Sequence, residues 1–193
     1  MLDLKPATHV LSELIAGVRD EQLDAATPCA DTILGALIDH VDGLALAFTA
    51  AATKTPLPGG SQGPSADASR LGSDWRVRIP QRLASLADAW ADPEAWTGMT
   101  QAGGLDLPGE VAGLVAVNEV LVHGWDIAGA SGQAFAAEPQ LVEAATEFVH
   151  MAVAQNPRGT PGLFGPPVAV ADDASPLDRL IGLTGRDSGW RPL

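Results

Sequence analysis

One segment of this chain, residues 111–130, limits the folds open to it. The segment consists largely of Val, Leu, Ala and Gly, yet it contains Glu119, His123 and Asp126. Taken as a helix it is apolar on all sides, and such a helix is buried in a bundle rather than laid on its surface. A buried carboxylate or imidazole without a partner is costly. The rest of the chain must therefore cover this helix and also compensate its polar groups.

The remaining sequence is also patterned for helices. Apolar residues recur at helical spacing, and no alternation of period two lasts long enough to build a sheet. Helices are predicted over residues 5–18, about 32–53, roughly 67–91, about 109–130, roughly 138–155 and near 176–183. The predicted fold class is all-α, a four-helix bundle with long connections and a short C-terminal extension.

Three details of this organisation are less determined. Pro80 either kinks the third helix or marks its start, because proline lacks the N–H that a helix interior uses. Residues 92–108 could contain a short hairpin, and 167–170 could be a short extended piece. The predicted division is a bundle over 1–156 and an extension over 157–193 that packs on it.

Composition excludes several classes of partner. The net charge of −13 repels phosphate backbones, so neither nucleic acid nor an anionic membrane surface is expected to bind. The most apolar segment carries three ionisable residues, which argues against a membrane span. No secretion signal is recognisable at the N-terminus. Cys29 is the single cysteine, so no intrachain disulfide can form, and a cytoplasmic protein is predicted.

Three candidate metal ligands lie on two predicted helices. Glu119 and His123 lie within about 40° of each other in helical projection. His40 lies in the middle of the apolar stripe of the second helix. Two imidazoles and a carboxylate with one open position form a known catalytic zinc set, and imidazole also suits Ni, Fe and Cu. The alternative is that the histidines are core residues and that Glu119 simply pairs with His123.

Other polar residues have more than one interpretation. Asp126 is predicted either to accept the second N–H of His123 or to bind a neighbouring helix. Arg186 and Asp187 could form a salt bridge that docks the extension, with a role in binding an anionic ligand as the weaker alternative. Trp125 is predicted in the core, and His9 and His150 as structural or exposed.

The cysteine is predicted to have a packing role. Cys29 lies just before the second helix, where the helix dipole would lower a thiol pKa. His40 is about 14–17 Å further along the helix axis, so Cys29 is expected to be a poor ligand for the same ion. A free cysteine usually behaves as a small hydrophobic residue.

Three stretches together resemble a known family. They are T-P-C-A-D…L-I-D-H-V at 27–41, N-E-V-L-V-H-G-W-D-I-A at 118–128 and F-G-P-P-V…L-T-G-R-D at 164–187. They are similar to the actinobacterial metal-binding branch of the DinB/YfiT-like superfamily, which is related to mycothiol-dependent maleylpyruvate isomerase. The resemblance implies a four-helix bundle that holds a divalent metal through His40, Glu119 and His123. Relatives commonly have Trp where this chain has Thr32, so either the substrate differs or that ring only packs the helix start.

The resemblance also implies a function. It points to a metal- and thiol-dependent transferase or isomerase acting on a small molecule, with mycothiol as the low-molecular-weight thiol. Zinc is the first choice of metal, with nickel or iron as alternatives. No general base beyond the ligands is evident, so no catalytic residue is named, and a homodimer is left open. The alternative is a non-catalytic metal-dependent binding or sensing protein, or a bundle whose metal is purely structural.

Overall fold

The computed structural model describes residues 1–57, 60, 63–160 and 163–192. Its helices and strands follow in chain order: α1 Lys5–Gly17, α2 Leu34–Thr53, α3 Trp75–Trp90, β1 Met99–Ala102, β2 Leu105–Pro108, α4 Gly109–Ser131, α5 Pro139–Gln155 and α6 Pro176–Leu183. Short 3-10 turns occur at Asp20–Gln22, Ala68–Arg70 and Pro93–Trp96. The predicted all-α class is confirmed, with one small hairpin as its only sheet in the described residues.

The first four helices contact one another in a ring. Both α1 and α2 pack against α3 and against α4, while α5 packs on α4 and α6 packs on α5. The largest fully buried side chains come mainly from these four helices: Leu11, Ile15, Leu34, Leu37, Ile38, Ile79, Leu83, Leu86, Trp90, Leu121 and Ile127. Because α4 is covered by α1, α2 and α5, the polar residues within 111–130 are buried along with most of the apolar ones, as the composition of this segment requires.

Two predicted helix starts differ from the structure. The helix predicted from residue 67 begins at Trp75, because Gly72 adopts a positive φ of 68° and separates it from the 3-10 turn Ala68–Arg70. Pro80 then lies inside α3 and does not start it. The helix predicted from residue 32 begins at Leu34, since Ile33 forms an antiparallel bridge with Ala26.

The predicted hairpin within 92–108 is present. β1 and β2 pair antiparallel and are joined by Gly103 and Gly104, with φ of 59° and 79°. Two successive residues at positive φ give the turn whose twist matches that of the flanking strands. The extended piece predicted at 167–170 forms no strand with any of the described residues. Instead, the Val168 N–H donates to the carbonyl of Gly182, at the end of α6.

The C-terminal extension is shaped by the two ends of α6. Ser175 caps the first turn by accepting a hydrogen bond from the Asp178 N–H. At the other end the N–H groups of Gly185 and Arg186 donate to the carbonyls of Gly182 and Ile181, which is the Schellman pattern. Gly185 adopts a φ of 85°, as that pattern requires, and so sets the direction of Arg186. The division at residue 156 stays a prediction.

Two helices satisfy a simple length and hydropathy test for membrane spans. They are α2 and α4, but 56% and 78% of their most apolar windows are buried inside the protein. Buried core helices of globular proteins pass the same test, so this is weak support for a span.

The Schellman turn gives a first prediction. A Cβ added to Gly185 would lie 2.8 Å from the backbone of Gly165, whereas one added to Gly132 has nothing within 4 Å, and both residues have positive φ. We expect Gly132→Ala to lower the free energy of unfolding by about 1–2 kcal/mol, from the left-handed conformation alone. Gly185→Ala should cost clearly more, as measured by urea denaturation. Equal losses would contradict the close approach to Gly165.

Candidate metal centre

The structure brings the three predicted ligands together. His40 projects from α2, and Glu119 and His123 project from successive turns of α4, against which α2 packs. One ring nitrogen of each histidine and one carboxylate oxygen of Glu119 lie within 4.8 Å of one another. The two imidazole rings meet edge to face, with centroids 5.1 Å apart and an interplanar angle of 88°. The donor atoms therefore converge from two helices on a single small volume.

The orientation of His40 is set by a backbone carbonyl. Its Nδ1 lies 2.9 Å from the oxygen of Pro64, which can only accept a hydrogen bond. The proton of the neutral ring is therefore on Nδ1, and Nε2 keeps its lone pair. Burial lowers the pKa of His40, and the neighbouring His123 lowers it further, so the ring favours this neutral form.

His123 lies between two carboxylates. Its Nδ1 is 3.0 Å from Asp126 Oδ2, and its Nε2 is 2.9 Å from Glu119 Oε2. Burial opposes protonation, but the hydrogen bonds and charges of Asp126 and Glu119 outweigh it and raise the pKa of His123 to about 9. The structure thus contains the Glu119–His123 pair that is expected if no metal binds. His40 is an additional group, which this pair does not require for its hydrogen bonds.

Asp126 links the site to the C-terminal extension. Its side chain is fully buried and accepts hydrogen bonds from His123 and from Nε of Arg186, which lies 2.8 Å from Oδ1. A second guanidinium nitrogen of Arg186 lies 2.8 Å from Oδ2. Burial opposes ionisation, but the contacts with His123 and Arg186 lower the pKa of Asp126. Asp126 therefore accepts from His123, as one alternative predicted, and its other partner comes from the extension rather than from a neighbouring helix.

A cavity of about 520 Å³ opens onto these groups. Its walls come from α2, α4, the loop before α2 and the C-terminal extension, and include Cys29, His40, Glu119, His123, Phe164 and Arg186. A volume of this size accommodates a small molecule. The site is therefore a concave pocket with ionisable groups in its wall.

Comparison with known proteins identifies the family of this chain. Residues 4–128 match the family described as the mycothiol maleylpyruvate isomerase N-terminal domain. The chain belongs to this family. The matched region includes His40, Glu119, His123 and Asp126, whereas Arg186 lies beyond it. The predicted relation to the DinB-like actinobacterial proteins that are related to mycothiol-dependent maleylpyruvate isomerase is confirmed.

Two relatives and one solved structure extend the match over nearly the whole chain. Uncharacterized proteins MT0763 and Rv0738, from two strains of Mycobacterium tuberculosis, are each 26% identical over 181 residues, which is 93% of this chain and 93% of theirs. The crystal structure of the mycothiol-dependent maleylpyruvate isomerase superposes with a TM-score of 0.66 at 18% identity. The alignment covers 96% of this chain and 87% of that one. At that identity the likeness shows a shared fold.

The prediction that Cys29 lies far from the candidate metal ligands is wrong. Cys29 lines the same cavity as His40, and its sulfur lies within 4.8 Å of ligand atoms of His123 and Asp126. The prediction continued the axis of α2 backwards, but the chain before α2 folds into a closed loop. Thr27 Oγ1 spans that loop by donating to the carbonyls of Cys29 and Thr32.

The thiol of Cys29 also differs from its predicted state. Burial, followed by the charge of Asp126, raises its pKa, and these effects outweigh the opposite influence of Arg186. A lowered pKa from the helix dipole was predicted, but α2 starts five residues later, at Leu34. Thr32, the position where relatives commonly have Trp, also lines the cavity.

Two other residues of the structure, Pro64 and Trp125, differ from what the sequence predicts. The Pro64 carbonyl was not anticipated, because a backbone acceptor leaves no mark in residue type. Trp125 is half-buried and borders a separate cleft with Trp190, outside the core. His9 is exposed and lies 3.6 Å from Glu13, and His150 is also exposed, in agreement with the prediction.

The raised pKa of His123 predicts a pH dependence for the metal-free protein. Histidine in an unfolded chain has a pKa of about 6.5, and the folded value is about 9. The folded state therefore holds the proton more tightly. Its contribution to stability is fully present below the unfolded pKa and is lost as the pH rises through the folded one. The loss should not exceed about 3.5 kcal/mol.

Urea unfolding of chelator-treated protein across this pH range measures the effect. His123→Gln should flatten the dependence, because the titrating group is gone. The same slope in both proteins would contradict the assignment.

Proposed function

We propose that this protein binds one divalent metal ion, most simply zinc, through His40, Glu119 and His123. With that ion it uses a low-molecular-weight thiol, mycothiol in this family, in a transferase or isomerase reaction on a small molecule. The observation that carries the proposal is the convergence of two histidine nitrogens and a buried carboxylate on the wall of an open cavity.

The hydrogen bonds around the histidines support a metal rather than a simple polar pair. Each Nδ1 is engaged, one by a carbonyl and one by a carboxylate, which is the usual outer arrangement around metal-binding histidines. Each Nε2 is then the nitrogen available for an ion. In the part of the chain that the structure describes, Nε2 of His40 has no hydrogen-bond partner. An ion would take the place of the proton between His123 and Glu119.

The charges beside the cavity suit a cation and then an anionic ligand. Two carboxylates, Glu119 and Asp126, face one guanidinium, that of Arg186, which leaves one negative charge when both histidines are neutral. A bound divalent ion reverses this to one positive charge, lowers the pKa of a thiol that binds beside it and favours the thiolate.

The residues of the chain would then have distinct roles. His40, Glu119 and His123 hold the ion, Asp126 keeps the proton of His123 on Nδ1, and Arg186 fixes Asp126. Three protein ligands leave a coordination position open, as in catalytic rather than structural zinc sites. The cavity wall around Phe164 would contact the substrate. The second candidate, a non-catalytic metal-dependent binding protein or a structural metal, rests on the same ligands.

The ligand set predicts a loss of affinity on removal of one charge. Glu119→Gln keeps the shape of the side chain, and we expect its zinc affinity to fall at least tenfold, with the fold intact. A competition titration with a chromophoric chelator at neutral pH measures this. Glu110→Gln, at an exposed position in the first turn of α4, is the matched control and should bind as wild type. Indistinguishable affinities for the Glu119 and Glu110 variants would remove Glu119 from the site.

Thiol binding separates the two candidate functions. Mycothiol titrated calorimetrically into zinc-loaded protein should bind, while chelator-treated protein and the S-methylated thiol should bind far more weakly, because neither combination can form a thiolate beside the ion. Zinc binding without any thiol binding would favour the non-catalytic alternative.

A further inference from the structure

The carbonyl that orients His40 belongs to a segment outside the helices. Pro64 precedes the 3-10 turn Ala68–Arg70, and Pro64 and Ala66 both line the cavity. Nothing in the geometry of α2 itself places an acceptor at Nδ1 of His40. The position of this segment therefore decides which nitrogen of His40 carries the proton and where the ring points.

A buried carboxylate and an arginine hold this segment on α2. Arg70 donates to Ser65 Oγ at 3.0 Å, to the Ser65 carbonyl at 2.6 Å and to Asp39 Oδ2 at 2.6 Å. The same oxygen of Asp39 accepts the N–H of Asp67 at 3.1 Å. Asp39 directly precedes His40 in α2 and is only 7% exposed, so the anchor is fixed to the helix that carries the ligand.

A glycine on α2 lets the segment approach closely. Gly43 lies one turn beyond Asp39, and a Cβ added there would lie 2.4 Å from Cβ and 3.1 Å from Cγ of Pro64. Real Cβ atoms do not approach this closely, and the proline ring is too rigid to turn aside. Any side chain at residue 43 must therefore displace Pro64 from its place beside His40.

We propose that Asp39, Gly43 and Arg70 are positioning residues for His40. Arg70, paired with Asp39, binds Ser65, and the absence of a side chain at Gly43 leaves room for Pro64. Together these three residues, here called the clamp, keep the Pro64 carbonyl at Nδ1 of His40. The clamp fixes the Nδ1–H tautomer and leaves the lone pair of Nε2 directed into the cavity. Its consequence for metal affinity rests on the proposed function, whereas its effect on the tautomer does not. Loss of such an outer partner costs typically 10- to 100-fold in metal affinity.

Gly43→Ala is the sharpest variant, because alanine favours the helix while its methyl group displaces Pro64. We expect its zinc affinity to fall 10- to 100-fold, while the protein still folds and melts in a single cooperative transition. Gly129→Ala is the matched control, also a glycine inside a helix, where an added Cβ meets nothing closer than 3.5 Å. It should bind zinc as wild type does. Arg70→Gln is the second variant and should weaken zinc binding in the same direction.

A readout without metal keeps the two proposals separate. Imidazole nitrogen NMR of chelator-treated protein at mildly alkaline pH should show His40 in the Nδ1–H tautomer in wild type and in Gly129→Ala. In Gly43→Ala it should show a mixture or the other tautomer. If wild type binds no zinc but this shift occurs, the metal function fails and the clamp stands. If Gly43→Ala and Arg70→Gln keep both the wild-type tautomer and the wild-type zinc affinity, the clamp is overturned.

Discussion

The buried ion pair between Asp126 and Arg186 is the interaction on which the rest of the site depends. Asp126 has no solvent exposure, so water cannot satisfy its charge, and Arg186 is only 8% exposed. Breaking such a pair by removing one partner leaves an uncompensated buried charge and is strongly destabilising. The pair therefore fixes the C-terminal extension on α4. Because the other contact of Asp126 is with His123, the same carboxylate that docks the extension also orients a candidate ligand.

The question raised by the apolar segment 111–130 has its answer along one line of α4. Glu119, His123 and Asp126 lie on successive turns of α4. Glu119 contacts His123, His123 contacts Asp126, and Asp126 pairs with Arg186. From the other side, His40 is oriented by a carbonyl held through Asp39 and Arg70. Two histidines on facing helices are thus fixed by unrelated parts of the chain, so their convergence is not a by-product of either helix alone.

How much of this could be predicted depends on how local each feature is. The grouping of His40, Glu119 and His123 could be predicted from the sequence, because helical geometry fixes which side chains share a face and apolar periodicity identifies the buried face. The approach of Cys29 and the Pro64 carbonyl could not be predicted, because their positions follow from loops whose closure depends on distant contacts. The sequence predicted that Arg186 docks the extension, but it named Asp187 as the partner, whereas Arg186 pairs with Asp126. The start of α3 was predicted too early for a different reason. The positive φ at Gly72 separates α3 from the turn before it, and helical periodicity carries no signal of that φ.

The competing interpretations of the site differ over His40. A Glu119–His123 pair on one helix is a complete hydrogen-bonding unit, and Asp126 with Arg186 completes its surroundings without any help from α2. The charges that raise the pKa of His123 hold a proton there, and the same charges attract a divalent ion, so proton and ion compete for one place. A proton needs only two partners. A third donor, directed into the same volume from α2 with its other nitrogen already engaged, is required by a metal ion but not by a proton.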